Sequence, residues 1–500
     1  MSGPGLDALP ADLAARVHPL NERPVRNGAK GGADYVLAWV QQALRADDNP
    51  LLDAAIALGR ELGLPVVVYH GLRMDYPHAS DRLHRFILGA SRDLQRGCEA
   101  RGLRCIAFVE TPEERERGLV YRLAERAAAV LTDDHFVFVS RWQAASFAAK
   151  CERPVLAVDA ARLVPTRTLP AGIGSTKAFR AATKDRREGF VDGTADLAAE
   201  RFEGDLPVDM ALAEASDADL DALVARCPID HTLPPSSDFE ASAAAATARL
   251  DTFVASHLER YKWTRNNPVE AGAGSMLSPY LHFGLIGPRR IARVVCDADV
   301  HAAARWKFLD ELLTWREWFH YLCLHHPAPE TFSFVPERPR RSLEEHADDP
   351  RETTYTLSQL LRAETDDETW NAAQKQWLVT GYMHNNLRMY WGKRIIGWTP
   401  DPHTAWATAC YINDRLSLDG RDPATYGNMR WVFGDARPAY REQPVYGWVA
   451  PKTDKALRKR EGVPDWLMGM ASREGPRLSV PNRAFVPTGF ERSWPPDEGG

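Results

Sequence analysis

Several features that would classify a chain at once are scarce or missing here. The seven cysteines (Cys98, Cys105, Cys151, Cys227, Cys296, Cys323, Cys410) are odd in number, scattered, and never spaced C-x-x-C. That argues against both a disulfide framework and a zinc site. No apolar run approaches the length needed to span a bilayer, and "MSGPGLDALPADLAARVHPL" lacks the basic-then-apolar order of a secretory signal. The expectation is a protein of the reducing cytoplasm with no membrane role. Excess positive charge is also missing. The formal net charge is -6, so a nucleic-acid partner is not advertised globally, although a local basic face can still hold a phosphate backbone. No G-x-G-x-x-G opens a helix: Gly28, Gly31 and Gly32 stand before a helical pattern without that fingerprint, which leaves a dinucleotide site of the usual kind unsupported. There are no internal repeats and no metal-ligand cluster.

What is present is enough apolar residue, 44% of the chain, to build a full core. Tryptophan is the compositional oddity. Of 15, only Trp39 and Trp142 precede residue 260, so the two halves of the chain are different objects.

Residues 34–165 alternate helical and strand-like patterns. "DYVLAWVQQALRADDNPLLDAAIALGREL" and "RLHRFILGASRDLQRGCEARG" read as helical. "LPVVVYHG", "LRCIAFVE", "AAVLTDD" and "PVLAVDA" read as buried strands. The sum is an α/β domain with a mostly parallel sheet, preceded by an arm over 1–33. Residues 166–245 are first basic and loop-like, then acidic with a Pro/Ser run, and form an interdomain connector. From 246 to 474 the chain forms a second domain, nearly all helical in pattern to about residue 420. The Pro- and Gly-rich tail, 475–500, is expected to be extended or disordered.

Four clusters in the helical half can carry chemistry. In "SMLSPYLHFG", Ser275 and Ser278 stand at a helix start, where hydroxyls and free N–H groups make an anion site or a plain N-cap with Pro in the first turn. In "FLDELLTWREWFHYL", an α-helical period puts Glu311 and Trp315 on one face and Arg316 near another. A carboxyl beside an indole suits a planar ligand at a cavity wall, as much as it suits a salt-bridged amphipathic helix. In "TGYMHNNLRMYWGKRIIGW", Trp391 and Trp398 share a helix face, with Trp370 beginning the preceding helix. Such a stripe serves either as core packing or as a path for single electrons. Finally, "YINDRLSLDGRDPATYGNMRWVFGDAR" gathers Asn413, Asp414, Asp419, Arg421 and Asp422 among turn residues, as in a polar site built on a loop.

Taken together and in order, these motifs resemble the photolyase and cryptochrome family, most closely the class II cyclobutane pyrimidine dimer photolyases. "SMLSPYLHFG", "WNAAQ", "MHNNLRMYWGKRI", "YINDRLSLDGRDP", "LNERPVRNG" and "YVLAWVQQALRADDN" carry the resemblance, which covers about residues 18 to 450. It implies a Rossmann-like α/β antenna-type domain, a long connector and a helical domain holding FAD in a bent pose, and it allows a deazaflavin-type antenna chromophore in the first domain. By the same resemblance, Tyr261, Ser275, Met276, Leu277 and Ser278 hold the FAD phosphates and Arg316 belongs to the cofactor site. Arg388 and Asp419 pair beside the isoalloxazine, and Asn413 faces flavin N5. Trp391, Trp370 and Trp398 relay electrons to the flavin. Glu311, Trp315 and Trp431 receive a flipped pyrimidine dimer, with Asn385 and Arg437 also at the substrate.

The implied partner is damaged DNA, bound by a monomer. The implied reaction is light-driven: an electron from excited reduced FAD splits the cyclobutane ring and then returns. A basic rim for the duplex is available in Arg430, Arg437, Arg441, Lys452, Lys455, Arg458, Lys459 and Arg460. The chain departs from the class pattern in two places. After Trp431 it reads "VFGDARPAYREQPVYG", one residue shorter, with Tyr440 at a tryptophan-like place. Asn385 stands where class II chains more often carry a small or apolar residue. A blue-light sensor of the cryptochrome kind, or an enzyme for another nucleic-acid lesion, are the alternative readings.

Overall fold

The computed structural model describes residues 7–25, 32–208, 212–270, 272–436 and 438–478. The first half is built on a six-stranded sheet in the order β1-β6-β5-β2-β3-β4. Its strands are β1 (Val17–Pro19), β2 (Tyr35–Trp39), β3 (Val66–Leu72), β4 (Arg104–Val109), β5 (Ala127–Asp133) and β6 (Val155–Val158). All pairs are parallel except β1 with β6, where Val17 opposes Val158 and Pro19 opposes Leu156. The four strands read from the sequence at β3, β4, β5 and β6 are all there, as is the helix Asp81–Ala100.

One reading is corrected. The run from Asp34 is not helical at its start: Tyr35–Trp39 is the strand β2, buried at every residue, and the helix is Pro50–Leu62. A central parallel strand is covered on both faces, so it shows a continuous apolar run without alternation, and periodicity cannot separate it from a buried helix. The helix that follows has clear local causes. Asn49 caps it by accepting from the Leu51 N–H, Pro50 occupies the first turn, and Gly63 closes it in the left-handed region at φ 63°.

The connector contains short helices rather than plain coil. Asp217–Arg226 starts on a capping box formed by Ser216 and Asp219. Its Leu220 and Val224 join a small core with Leu72, Leu88 and Val109 of the first domain.

The second half is helical. A hairpin of Glu368–Thr380 and Asn385–Trp398 is turned by Gly381 at φ 74°, whose N–H donates to the Trp377 carbonyl. Beside it lie Pro402–Leu416 and Pro423–Arg430. Arg82, on the 81–100 helix of the first domain, is almost fully buried against this hairpin. It donates to the carbonyls of Trp377 (3.0 Å), Leu378 (2.5 Å) and Leu416 (2.9 Å), and also to Pro234 (3.1 Å). Every nitrogen of this buried guanidinium thus has a carbonyl partner. No helix among the described residues is long and apolar enough to cross a membrane, and all seven cysteines are free.

Candidate functional site: a polar cavity served by a row of indoles

A cavity of ≈ 380 Å³ opens in the helical half, within the range of roughly 300–1,000 Å³ usual for small-molecule sites. One wall is Tyr261 with the turn Ser275, Met276, Leu277 and Ser278. Met276 sits in the left-handed region at φ 53°, a strained backbone of the kind found where a turn must present its atoms to a site. Ser278 is not the cap expected for this helix start. It is the first residue of the Ser278–His282 helix, with Leu277 at the N-cap position and no side-chain cap bond. Its hydroxyl donates instead to Asp419 Oδ2 at 2.6 Å.

Asp419 is the centre of the buried polar wall. Arg388 Nη2 reaches its Oδ1 at 3.0 Å and also the Met383 carbonyl at 3.2 Å, and the Ser417 hydroxyl donates to the same carboxylate. Burial alone would raise the Asp419 carboxyl, but the Arg388 guanidinium and the two hydroxyls outweigh it and hold it below the usual carboxylate range. Arg388 Nε is buried with no partner among the described residues. The guanidinium as a whole lines the cavity, and its positive charge fits a ligand with acceptor atoms.

The opposite wall comes from Glu311, Trp315 and Arg316, all three at the cavity. The α-helical period separates Arg316 from the other two, but Glu311–Arg316 is a π-helical turn. Its wider i→i+5 repeat lets both Trp315 and Arg316 face the same space. Two cations hold Glu311: Arg265 Nη2 and Lys307 Nζ each lie 2.5 Å from Oε1. Both contacts fall on one oxygen, which leaves Oε2 for a ligand. Lys307 and Glu311 are an i,i+4 pair legible in the sequence; Arg265 is 46 residues away and gave no such signal.

Trp431 is outside the lining but stands edge-on to Trp315, with ring centroids 5.0 Å apart at 85°. It opens a second π turn, Trp431–Asp435. Asn385 lines the cavity as the first residue of its helix. His384 caps that helix by accepting from the Asn386 N–H, and burial lowers its imidazole to about 4, so it is neutral at pH 7. Asn413 lies in the last turn of the Pro402–Leu416 helix rather than on a loop, fully buried behind the lining, with Oδ1 unpartnered among the described residues. Arg437 is outside the described residues. Tyr382 also lines the cavity and was not singled out in the sequence, where a lone Tyr in a turn carries no pattern.

The three indoles form one contact chain. Trp391 and Trp370 are stacked at 5.9 Å and 10°, and Trp370 meets Trp398 edge-on at 5.4 Å. Trp391 and Trp370 are wholly buried; Trp398 is 6% exposed. Both inner ring N–H groups are engaged, Trp370 with the Trp391 carbonyl at 3.0 Å and Trp391 with Gln374 Oε1 at 2.8 Å. A fourth indole, Trp377, packs against Trp391 at 5.2 Å and lies under the Arg388 guanidinium at 5.0 Å. It connects the polar wall to the row, and its spacing of seven from Trp370 was the missed clue.

A second cavity of ≈ 330 Å³ lies at the carboxyl ends of β2, β3 and β4, lined by Trp39, Tyr69, Phe108 and Glu110. Parallel sheets place ligands there, next to the point where the strand order reverses, between β5 and β2. His282 lines both cavities.

Residues 36–198 match the family model of DNA photolyase. A deoxyribodipyrimidine photo-lyase of Methanothermobacter thermautotrophicus is 31% identical over 464 residues, covering 91% of this chain and 97% of that protein. One from Oryza sativa is 33% identical over 443 residues, covering 84% of each. The fold is that of the archaeal photolyase from Sulfolobus tokodaii, whose structure holds two FAD molecules: TM-score 0.60, 16% identity, 87% of this chain and 89% of that one. The near full-length likeness to the Methanothermobacter protein places this chain in the photolyase and cryptochrome family.

Proposed function

We propose that this protein is an FAD-dependent photolyase of the class II kind that reverses cyclobutane pyrimidine dimers in DNA. The observation that carries the reading is the single cavity that joins Glu311 and Trp315 on one wall to the Arg388–Asp419 pair on the other, with the indole row reaching that pair through Trp377. The Arg388 guanidinium, the hydroxyl-bearing turn at Ser275–Ser278 and the aromatic wall fit FAD. Bound and reduced, FAD would supply a photoexcited one-electron donor. Tyr261 and the 275–278 turn would hold its phosphates, and Arg388, fixed by Asp419, would present positive charge to the ring system. Asn413 Oδ1 would be the neighbouring acceptor.

Oε2 of Glu311 would accept a hydrogen bond from an imide N–H of the lesion, since Arg265 and Lys307 occupy Oε1. Trp315 and Trp431 would supply apolar walls to a dinucleotide turned out of the duplex, a step that costs less for a damaged pair than for an intact one. Lys455 and Lys459 are exposed and would contact phosphate, whereas Lys452 is engaged by Asn386 and Arg458 by Asp454. The second cavity would hold a light-harvesting chromophore of the flavin or deazaflavin type, against the aromatic rings at the strand ends.

The test is blue-light repair of a defined thymine dimer by the flavin-loaded, reduced protein. Repair supports the reading. Photoreduction without repair would overturn it in favour of a light sensor. Glu311→Ala is expected to slow repair by ~10-fold or more, the worth of one hydrogen bond to a charged group, with flavin content unchanged. A variant that loses flavin instead would make Glu311 a structural residue, measured simply by the absorption spectrum of the purified variant.

A further inference from the structure

The wall that carries Glu311 and Trp315 has two faces. Glu311, Leu312, Trp315 and Arg316 line the cavity, whereas Leu313 and Thr314 of the same π turn do not. Those two residues meet the connector. Arg187, the first residue of the short helix Arg187–Val191, donates from Nη2 to the Leu313 carbonyl at 2.7 Å and to Thr314 Oγ1 at 2.9 Å. The same nitrogen reaches Thr183 Oγ1 at 3.2 Å, in the last turn of the preceding helix Thr176–Lys184, and both threonines are fully buried. Just before the π turn, Asp310 accepts from Arg180 Nε of that preceding helix at 2.9 Å. Within it, Arg316 Nη1 donates to the Ala161 carbonyl at 2.8 Å, and just after it the Glu317 carboxylate accepts the Leu163 N–H at 2.6 Å. Residues 161–187 therefore grip the turn on both sides of its widest point.

A π turn is a rare form, found mostly as a single widened turn inside an α-helix. A helix departs from the regular α form where a side chain bonds into its ladder of carbonyls. Arg187 is such a side chain, and it enters from the face away from the cavity. In an α-helix Arg316 would stand about 140° round the axis from Glu311. The wider turn brings it back beside Glu311 and Trp315.

We infer that Arg187 is a positioning residue for the substrate wall: by holding the Leu313 carbonyl and the Thr314 hydroxyl it keeps residues 311–316 in the π form, and so sets Trp315 and Arg316 against Glu311 without touching a ligand. The assignment rests on the proposed reading of that wall as the side that receives the lesion. Glu311 has its own anchors in Arg265 and Lys307. What Arg187 adds is the angle between that carboxylate and the side chains after Leu313. Relaxation to the α form would turn those side chains about the axis and take Trp315 off Trp431, which it now meets at 5.0 Å.

The test is binding in the dark by flavin-loaded, full-length protein, with one oligonucleotide that carries a thymine dimer and the same sequence undamaged. Arg187→Ala is expected to lower the preference for the damaged strand by ~10-fold or more, since two hydrogen bonds from a charged donor are lost, with flavin content and affinity for the undamaged strand unchanged. Thr314→Val keeps the shape and removes only the hydroxyl. It is expected to move the preference the same way by less, and it carries the test if the Arg187 variant fails to fold. Methylguanidinium added to Arg187→Ala is expected to restore the preference, a rescue that a general loss of fold would not show. Hydrogen exchange at the amides of 312–317 should quicken in both variants while the 275–278 turn keeps its protection. Unchanged preference in both folded variants, or a parallel loss for both strands together with flavin, would overturn the inference. A parent protein with no preference for the dimer would overturn the lesion reading instead. Exchange that quickens only in the 312–317 amides of the variants would then still establish Arg187 as the holder of the π form, and unchanged exchange would sink that as well.

Discussion

Arg388→Ala is expected to cost about 3–5 kcal/mol of stability, the usual penalty for stranding one member of a buried ion pair, and to empty the cavity of flavin. The guanidinium reaches Asp419, the Met383 carbonyl and the face of Trp377, and the residue is buried. The pH dependence has a definite sign. With Arg388 present, the Asp419 carboxyl lies below its ordinary value. Its contribution to stability is therefore present above the unfolded carboxylate pKa of about 4 and lost as pH falls through the folded value. Without Arg388, burial dominates and the carboxyl rises, so the folded variant takes up a proton more readily than the unfolded chain. The stability deficit is then largest near pH 7 and narrows in acid. Urea unfolding of both proteins across this range, with flavin absorbance followed in parallel, measures both effects. A deficit independent of pH would remove Asp419 as its source.

Trp391→Phe is expected to abolish photoreduction of bound flavin while sparing repair by chemically reduced protein. Trp391 is the indole that touches both Trp377 and Trp370, so no ring bypasses it among the described contacts. Phenylalanine fills most of the volume but is much harder to oxidise, and it gives up the bond to Gln374. Its stability cost is modest, about 1–3 kcal/mol for the cavity left and the buried amide left unpaired. Bleaching of the oxidised flavin band under blue light, in the presence of a thiol, is the measurement. Unimpaired bleaching would dismiss the row as a relay and leave it as core.

Much of this architecture was legible because local chemistry and global fold agree. The strands at β3 to β6 and the 81–100 helix declare themselves by run length and flanking turns, and Trp391 with Trp398 by helical spacing. The failures have physical causes. β2 was hidden because burial on both faces erases alternation. Arg316 was placed by an α-helical period that a π turn does not obey. The role of Ser278 was assigned by its position before an apolar run, whereas a carboxylate 141 residues away claims its hydroxyl. Arg265 acts through a partner 46 residues away, and such a pairing is decided by tertiary packing alone. Tyr382 and Trp377 sat beside motifs already recognised and differ from core residues only by what they touch.

The Arg82 junction has an optical consequence. Its carbonyl contacts lock the end of the 368–380 helix to a helix of the first domain, and His282 forms part of the partition between the two cavities. Transfer of excitation between two dyes depends on the angle between their transition dipoles as well as on their separation. A molecule whose halves swung on a hinge would average that angle away. Here the alignment of any pair of dyes would be set when the chain folds, and this arginine's hydrogen bonds would help to fix it.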